Sequence, residues 1–207
     1  MSVEQMVDFL PTVGVTLSRS QVYEYLGRMK LPRFYRPSEA AQSHHDYYTF
    51  WFFVRMAQDA ALSGYATHHL AKGTAPAEGA RFRPDFAFSV KRYRFYMELQ
   101  LSDLTETRWT VKMRNYLRLR KEIGKPFRAL FVIDAKGDLA YARRFARGLA
   151  ERQDVGRGIF LFIRLDELKG SKNVATDPVW VDPWGRNIAL LEFLQLPGQK
   201  PTVQFQR

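Results

Sequence analysis

The sequence contains no cysteine. This absence excludes disulfide bonds, zinc sites with cysteine ligands and catalysis by a thiol, and it fits a reducing compartment. The amino terminus carries acidic residues and lacks the basic start and apolar centre of a signal peptide. The most apolar run, residues 47–54, ends at Arg55 and is too short to span a bilayer. We therefore expect a soluble cytoplasmic protein with no membrane partner.

Several catalytic motifs are also missing. The chain has no glycine-rich loop of the kind that cradles phosphates and no G-x-S-x-G nucleophile motif. Its four histidines form two adjacent pairs, His44–His45 and His68–His69. Helical metal ligands usually lie at positions i and i+4, and no carboxylate is spaced to complete such a set. The sequence therefore predicts no histidine metal site.

The strongest signal in the composition is positive charge. Lysine and arginine number 32 against 21 acidic residues, which gives a formal net charge of +11. A surface this basic favours polyanions, with nucleic acid as the first partner and an anionic membrane as the second. The alternative is a surface whose lysines and arginines are only solvated. Hydrophobic residues make up 46% of the chain and aromatic residues 14%, which is enough for a packed core.

The amino-terminal region predicts two short amphipathic helices. Residues 3–10 have helical spacing and are stopped by Pro11, and residues 18–30 form a second helix with polar residues on its outer side. This arrangement suits a helix-turn-helix or winged-helix module that binds DNA, and a generic helical segment is the alternative. The residues expected to contact nucleic acid, here and around the first core strand, are Arg19, Gln21, Arg28, Lys30, Arg33, Arg36, Arg83, Lys91 and Arg92.

Changes in composition divide the chain into four parts. We assign residues 1–72 to the helical, winged-helix-like module and 73–82 to a linker, because the stretch around them is rich in glycine, alanine and proline. Residues 83–190 form an α/β domain, and 191–207 are a polar tail broken by proline.

The aromatic run after residue 45 is either one long buried helix, from about Asp46 to Leu62, or a strand that leads into a helix.

The α/β domain contains a strand with clear alternation over residues 95–101. The alternation places Phe95, Met97, Leu99 and Leu101 on one side and Tyr96, Glu98 and Gln100 on the other. If the preceding strand is its antiparallel neighbour, Asp85 reaches the same place as Glu98. Two carboxylates that converge repel each other unless a cation lies between them, and Mg2+ or Mn2+ suits oxygen ligands.

The spacing of residues in the helix that follows the strand predicts one further charged residue near Asp85 and Glu98. Its shared face holds Trp109, Lys112, Met113, Tyr116 and Arg120. The aromatic residues and the methionine fit an ordinary core. Two interpretations of Lys112 remain open: its amine reaches the carboxylates, or it extends along the helix into solvent.

These motifs resemble a known superfamily. Pro84-Asp85 followed by Glu98-Leu99-Gln100 is similar to the core of the PD-(D/E)xK nucleases, and the order of elements over residues 83–181 resembles the replication-relaxation family of plasmid and mobile-element proteins. The resemblance implies a restriction-endonuclease-like mixed sheet flanked by helices, with a winged-helix amino-terminal part. It also implies that the partner is DNA, double-stranded or branched. A second copy of this chain, in a homodimer, or a protein of a mobile-element system is a possible further partner.

The resemblance implies metal-assisted phosphodiester hydrolysis. Asp85, Glu98 and the main-chain carbonyl of Leu99 would hold Mg2+ or Mn2+. The usual third residue is a lysine that stabilises developing charge. Here it is Gln100, which carries no charge and would position the water or the phosphate, and Lys112 is a possible auxiliary cation. The alternatives are an inactive nuclease-fold accessory of replication or transposition, and a protein-interaction subunit with a basic face.

Overall fold

The computed structural model describes residues 15–16, 40–69, 84–91, 93–102, 104–123, 126–134, 139–153 and 158–194. Strands and helices alternate along most of this part of the chain. The strands are β1 Val15–Thr16, β2 Thr67–His69, β3 Phe86–Val90, β4 Tyr93–Gln100, β5 Phe127–Ile133, β6 Phe160–Arg164, β7 Trp180–Val181 and β8 Asn187–Ile188. The helices are α1 Ala40–Leu62, α2 Glu106–Ile123, α3 Leu139–Gln153 and α4 Leu165–Gly170, followed by a 3-10 turn at Leu190–Leu194.

The described strands form one mixed sheet whose spatial order follows the sequence. β1 runs parallel to β2, and β2, β3 and β4 are antiparallel neighbours. β4, β5 and β6 are parallel, because helices α2 and α3 provide the long crossovers that parallel strands require. β7 and β8 close the sheet with an antiparallel hairpin. β5 and β6 are buried on both sides, and their sequences therefore lack an alternation of apolar and polar residues, as the run FRALFVI of β5 shows.

Two hydrophobic layers cover the two sides of the sheet. One layer joins α1 and α4 to the sheet, with Phe52, Phe53 and Met56 of α1 packed against Phe88 and Phe95. The other joins α2 and α3 to the opposite side. The alternation predicted in β4 is observed: its odd-numbered apolar residues lie in the α1 layer, and its even-numbered residues point toward α2.

The expectation of an α/β protein with a mixed sheet flanked by helices is confirmed. The aromatic run is a helix, α1, and it begins at Ala40, earlier than the sequence indicated. Because α1 packs on the sheet formed after residue 84, the described residues before residue 70 and those after it contribute to one core. The predicted helices at 3–10 and 18–30, the linker at 73–82 and residues 195–207 of the tail lie outside the described residues.

None of the described helices combines the length and the hydropathy that crossing a bilayer requires.

Candidate functional site

The hairpin of β3 and β4 brings the two predicted carboxylates together. Phe86 faces Met97 in the antiparallel ladder, so the preceding Asp85 lies beside Glu98. The side chain of Asp85 is fixed there, because its Oδ2 accepts a hydrogen bond of 2.8 Å from the main-chain N–H of Leu99. Asp85 and Glu98 therefore occupy neighbouring positions at one end of the hairpin, as the sequence pattern required for a shared site.

Glu98 is buried, and helix α2 supplies both of its hydrogen-bond partners. Only 2% of its side chain is exposed. The Nζ of Lys112 donates to Oε2 at 2.6 Å, and the hydroxyl of Tyr116 donates to Oε1 at 2.6 Å. Lys112 and Tyr116 lie one turn apart on α2, so a single helix face holds both oxygens. Of the two interpretations of Lys112, the structure shows the one in which its amine reaches the carboxylates.

The carboxyl of Glu98 has an unusual proton affinity. Burial raises its pKa to about 7, and the neighbouring charge of Asp85 adds to the rise, although the charge of Lys112 and its hydrogen bond oppose it. The pKa of Tyr116 lies well above its ordinary value, because burial and the carboxylate of Glu98 both disfavour the phenolate. Tyr116 therefore remains a hydrogen-bond donor, while Glu98 changes its charge near neutral pH.

Gln100, which stands where the resembling nucleases have lysine, is directed elsewhere. Its side-chain Nε2 donates to the main-chain oxygen of Ser102 at 2.6 Å. The main-chain oxygen of Gln100 accepts the N–H of Asp134 from the end of β5. The amide of Gln100 thus stabilises the turn after β4, and Lys112 is the cationic group beside Glu98.

The site includes a histidine that the sequence did not predict. The Nε2 of His45 in helix α1 lies 3.1 Å from Oδ2 of Asp85. The sequence separation of these residues is large, and no spacing rule connects them, so only the packing of α1 across the end of β3 reveals the contact. Tyr116 was predicted as core. Its ring does pack between Tyr96 and Phe131, but periodicity could not show that its hydroxyl binds Glu98.

Other buried carboxylates in the described residues have a different role. Asp59 accepts the main-chain N–H of Val174 at 2.6 Å and pairs with Arg55. Asp182 accepts the main-chain N–H groups of Trp184 and Arg186 in the β7–β8 turn. Both therefore stabilise backbone segments by accepting hydrogen bonds from buried main-chain N–H groups. Glu98 differs, because its hydrogen-bond donors are side chains and a second carboxylate lies next to it.

The donor chemistry of the site fits a hard divalent cation. Asp85 and Glu98 offer carboxylate oxygens, and each oxygen of Glu98 accepts one hydrogen bond and keeps a second lone pair. The mutual repulsion of the two acids, which contributes to the raised pKa of Glu98, is what a bound cation would relieve. The described residues hold no group of three or more histidine and acidic side chains arranged for a metal. The predicted ligand set of Asp85, Glu98 and the main-chain carbonyl of Leu99 therefore stays a prediction.

Most of the residues predicted to bind nucleic acid cannot be placed. Arg83, Arg92 and the six residues of the amino-terminal region lie outside the described residues. Lys91 is described: it is exposed at the β3–β4 turn with a φ of 53°, and its amine lies 4.5 Å above the ring of Tyr65. Its role in nucleic-acid binding stays a prediction.

Comparisons of this chain with protein-family models, with curated proteins and with solved structures gave no match. The geometry of the Asp85–Glu98 site and the distribution of charge are therefore the observations that bear on function.

Proposed function

We propose that this protein is a cytoplasmic DNA-binding protein with a restriction-endonuclease-like core that hydrolyses phosphodiester bonds with the help of Mg2+ or Mn2+. Plasmid or mobile-element DNA is the expected context, from the resemblance in sequence. The observation that carries the proposal is the 2.6 Å contact between Lys112 and Glu98 beside Asp85. This contact supplies, from helix α2, the positive charge that Gln100 does not provide.

The roles of the residues follow from their positions. Asp85, Glu98 and the carbonyl of Leu99 would hold the ion, which when bound polarises the phosphate and lowers the pKa of its water. Lys112, with 27% of its side chain exposed, reaches both the buried carboxylate and the surface, so its amine can meet the charge that develops on a phosphate. Tyr116 fixes the orientation of Glu98 from the core side.

The direct test is cleavage of supercoiled plasmid and of branched DNA with Mg2+ or Mn2+. Wild type is compared with Glu98→Gln, which keeps the shape of the side chain and removes its charge. The matched control is Asp166→Asn, an exposed acid at the start of α4 on the other side of the sheet. The proposal requires metal-dependent cutting that is lost in Glu98→Gln and retained in Asp166→Asn.

A second candidate function is a DNA platform that has the same core and does not cut. Two observations favour it: both oxygens of Glu98 are already hydrogen-bonded, and the amide of Gln100 is used by the turn at Ser102. On this proposal Lys112 permanently neutralises Glu98. Equal, salt-sensitive DNA binding by wild type and Glu98→Gln, with no cutting by either, would establish the platform and exclude the nuclease.

A further inference from the structure

The helices on the two sides of the sheet differ in charge. Helices α2 and α3, which cover the side that Glu98 faces, contain ten basic and three acidic residues. Helices α1 and α4, on the other side, contain two basic and four acidic residues. Seven of the ten basic residues of α2 and α3 are exposed, so the asymmetry is present on the outer surface. A strong charge of one sign on one side indicates a partner of the opposite sign.

Four basic residues of α2, Arg108, Arg114, Arg118 and Lys121, are exposed, while the opposite side of the helix is buried in the core. Arg114, Arg118 and Lys121 lie on the outer side, and Arg108 lies on the flank of the helix nearer Lys112. Together they extend over about 20 Å of a helix that rises 1.5 Å per residue. Exposed Val111 lies on the same outer side. These residues form a cationic track with one apolar residue in it.

Helix α3 widens this track. The two helices pack side by side. Arg144 and Arg147 of α3 are exposed. We define the basic face as Arg108, Arg114, Arg118, Lys121, Arg144 and Arg147.

Few acids compensate the basic face. Arg118 pairs with Glu122 at 3.6 Å and Arg147 with Glu151 at 2.8 Å, each within its own helix. Among the described residues, no carboxylate lies within ion-pair distance of the other four members, Arg108, Arg114, Lys121 and Arg144. Exposed pairs within a helix are weak, at about 0.3–0.5 kcal/mol, so they do not prevent binding of an anion.

The basic face is continuous with the candidate site. Arg108 precedes Lys112 by one helical turn, so the two side chains are neighbours along α2. Lys112 in turn contacts Glu98. A chain of phosphates that lies on the basic face can therefore extend to the carboxylates without leaving α2.

We propose that the basic face binds the sugar-phosphate backbone of duplex DNA that passes the Asp85–Glu98 site. This proposal rests on the proposed DNA function and names the surface that provides it, which is separate from the residues predicted around the amino terminus. DNA fits better than a protein or a membrane, because protein interfaces need a buried apolar centre and membrane binding needs an apolar helix face. The basic face offers only Val111 for either purpose.

The test is the salt dependence of binding to a short fluorescent duplex of mixed sequence, measured by anisotropy. Arg114→Gln/Lys121→Gln removes two charges from the basic face, and Lys169→Gln/Lys172→Gln removes two from exposed positions at and after α4 as the matched control. Each phosphate contact contributes about 0.9 to the slope of log K against log salt, so the first variant should lower the slope by about two and weaken binding on the order of tenfold. The control should match wild type.

The outcomes separate this proposal from the proposed function. Salt-dependent binding by wild type with an unchanged slope in Arg114→Gln/Lys121→Gln would overturn the basic face and leave the DNA function intact. Absence of duplex binding by wild type would overturn both. Vesicles of phosphatidylcholine with phosphatidylserine are run in parallel, and binding to them without binding to DNA would show that the basic face serves a membrane. Thermal unfolding of each variant verifies that it is folded.

Discussion

Two buried acids on opposite sides of the same sheet differ in the groups that bind them. Asp59 of α1 has 5% of its side chain exposed, pairs with Arg55, and accepts the main-chain N–H of Val174. Arg55 itself donates to the main-chain oxygen of Ser171, so the pair attaches α1 to the segment after α4. Glu98 is equally buried, yet its donors are the side chains of α2.

The two acids differ in the contacts that would be lost if each were replaced. Without Asp59, a main-chain N–H and a guanidinium lose their acceptor, and a contact between distant parts of the chain is broken. Without the charge of Glu98, its neighbours can adjust, because Lys112 is partly exposed and the hydroxyl of Tyr116 can rotate. A buried charge with little structural use, beside a second acid, is typical of a functional site.

The largest expected effect is on the free energy of unfolding. Asp59→Asn should lower it by about 3 kcal/mol, because removing one partner of a buried ion pair leaves the other uncompensated. Glu98→Gln should change it by no more than about 1 kcal/mol at neutral pH. Urea unfolding of both variants measures the difference. Equal losses would remove the distinction between the two acids.

The next largest expected effect is a pH dependence of the free energy of unfolding that is caused by the titration of Glu98. Its pKa is about 7 in the folded protein against an ordinary value of 4.5, so between these values the folded state holds more protons than the unfolded state. Stability from this group is complete below pH 4.5 and is lost as the pH rises to 7. Wild type should therefore lose about 2 to 3 kcal/mol more than Glu98→Gln between about pH 5 and 8. Parallel pH profiles would contradict the assignment.

A smaller effect concerns the pKa of Glu98 itself. Lys112→Met removes a cation that lowers this pKa, so the pKa should rise by about one to three units. Carbon NMR of labelled glutamate carboxyls measures the shift. Lys121→Met, on the exposed side of the same helix, is the control and should leave the pKa in place. A pKa unchanged by Lys112→Met would show that the amine does not contact the carboxylate in solution.

The smallest effect is expected from the tyrosine. Tyr116→Phe keeps the ring in the core and removes one neutral donor to Glu98, which should cost about 1 kcal/mol of stability. The pKa of Glu98 should rise by less than in Lys112→Met, because a hydrogen bond is lost without a charge. Urea unfolding and the same NMR titration test both statements. A larger rise than in Lys112→Met would reverse the assigned roles.

The periodicity of apolar residues predicted the elements whose sequence shows one clear repeat, either that of a strand or that of a helix. The alternation of β4 assigned Glu98 to the side of α2, and the helical repeat placed Lys112 and Tyr116 on the inner face of α2. Helix α1 was ambiguous, because its dense aromatic residues favour a strand as much as a buried helix. Strand β2 was not predicted, because three residues are too few to show a pattern.

The candidate site was predicted only where its residues are close in sequence. Asp85 and Glu98 belong to one hairpin, whose short turn fixes their proximity. His45 approaches Asp85 through the packing of α1 over the sheet, which no local spacing encodes. For Lys112 the sequence indicated the helix face, and the choice between the carboxylate and solvent depended on the depth at which Glu98 is buried.

The central claim is that Lys112 and Glu98, beside Asp85, form a site of metal-dependent phosphodiester hydrolysis. The most direct measurement is the rate of plasmid cleavage with Mn2+ or Mg2+ for wild type, Lys112→Met and the exposed control Lys172→Met at equal fractions of bound DNA. We expect Lys112→Met to cut on the order of a hundredfold more slowly and Lys172→Met to cut at the wild-type rate. Equal rates for all three proteins, or cutting that persists without a metal ion, would contradict the claim.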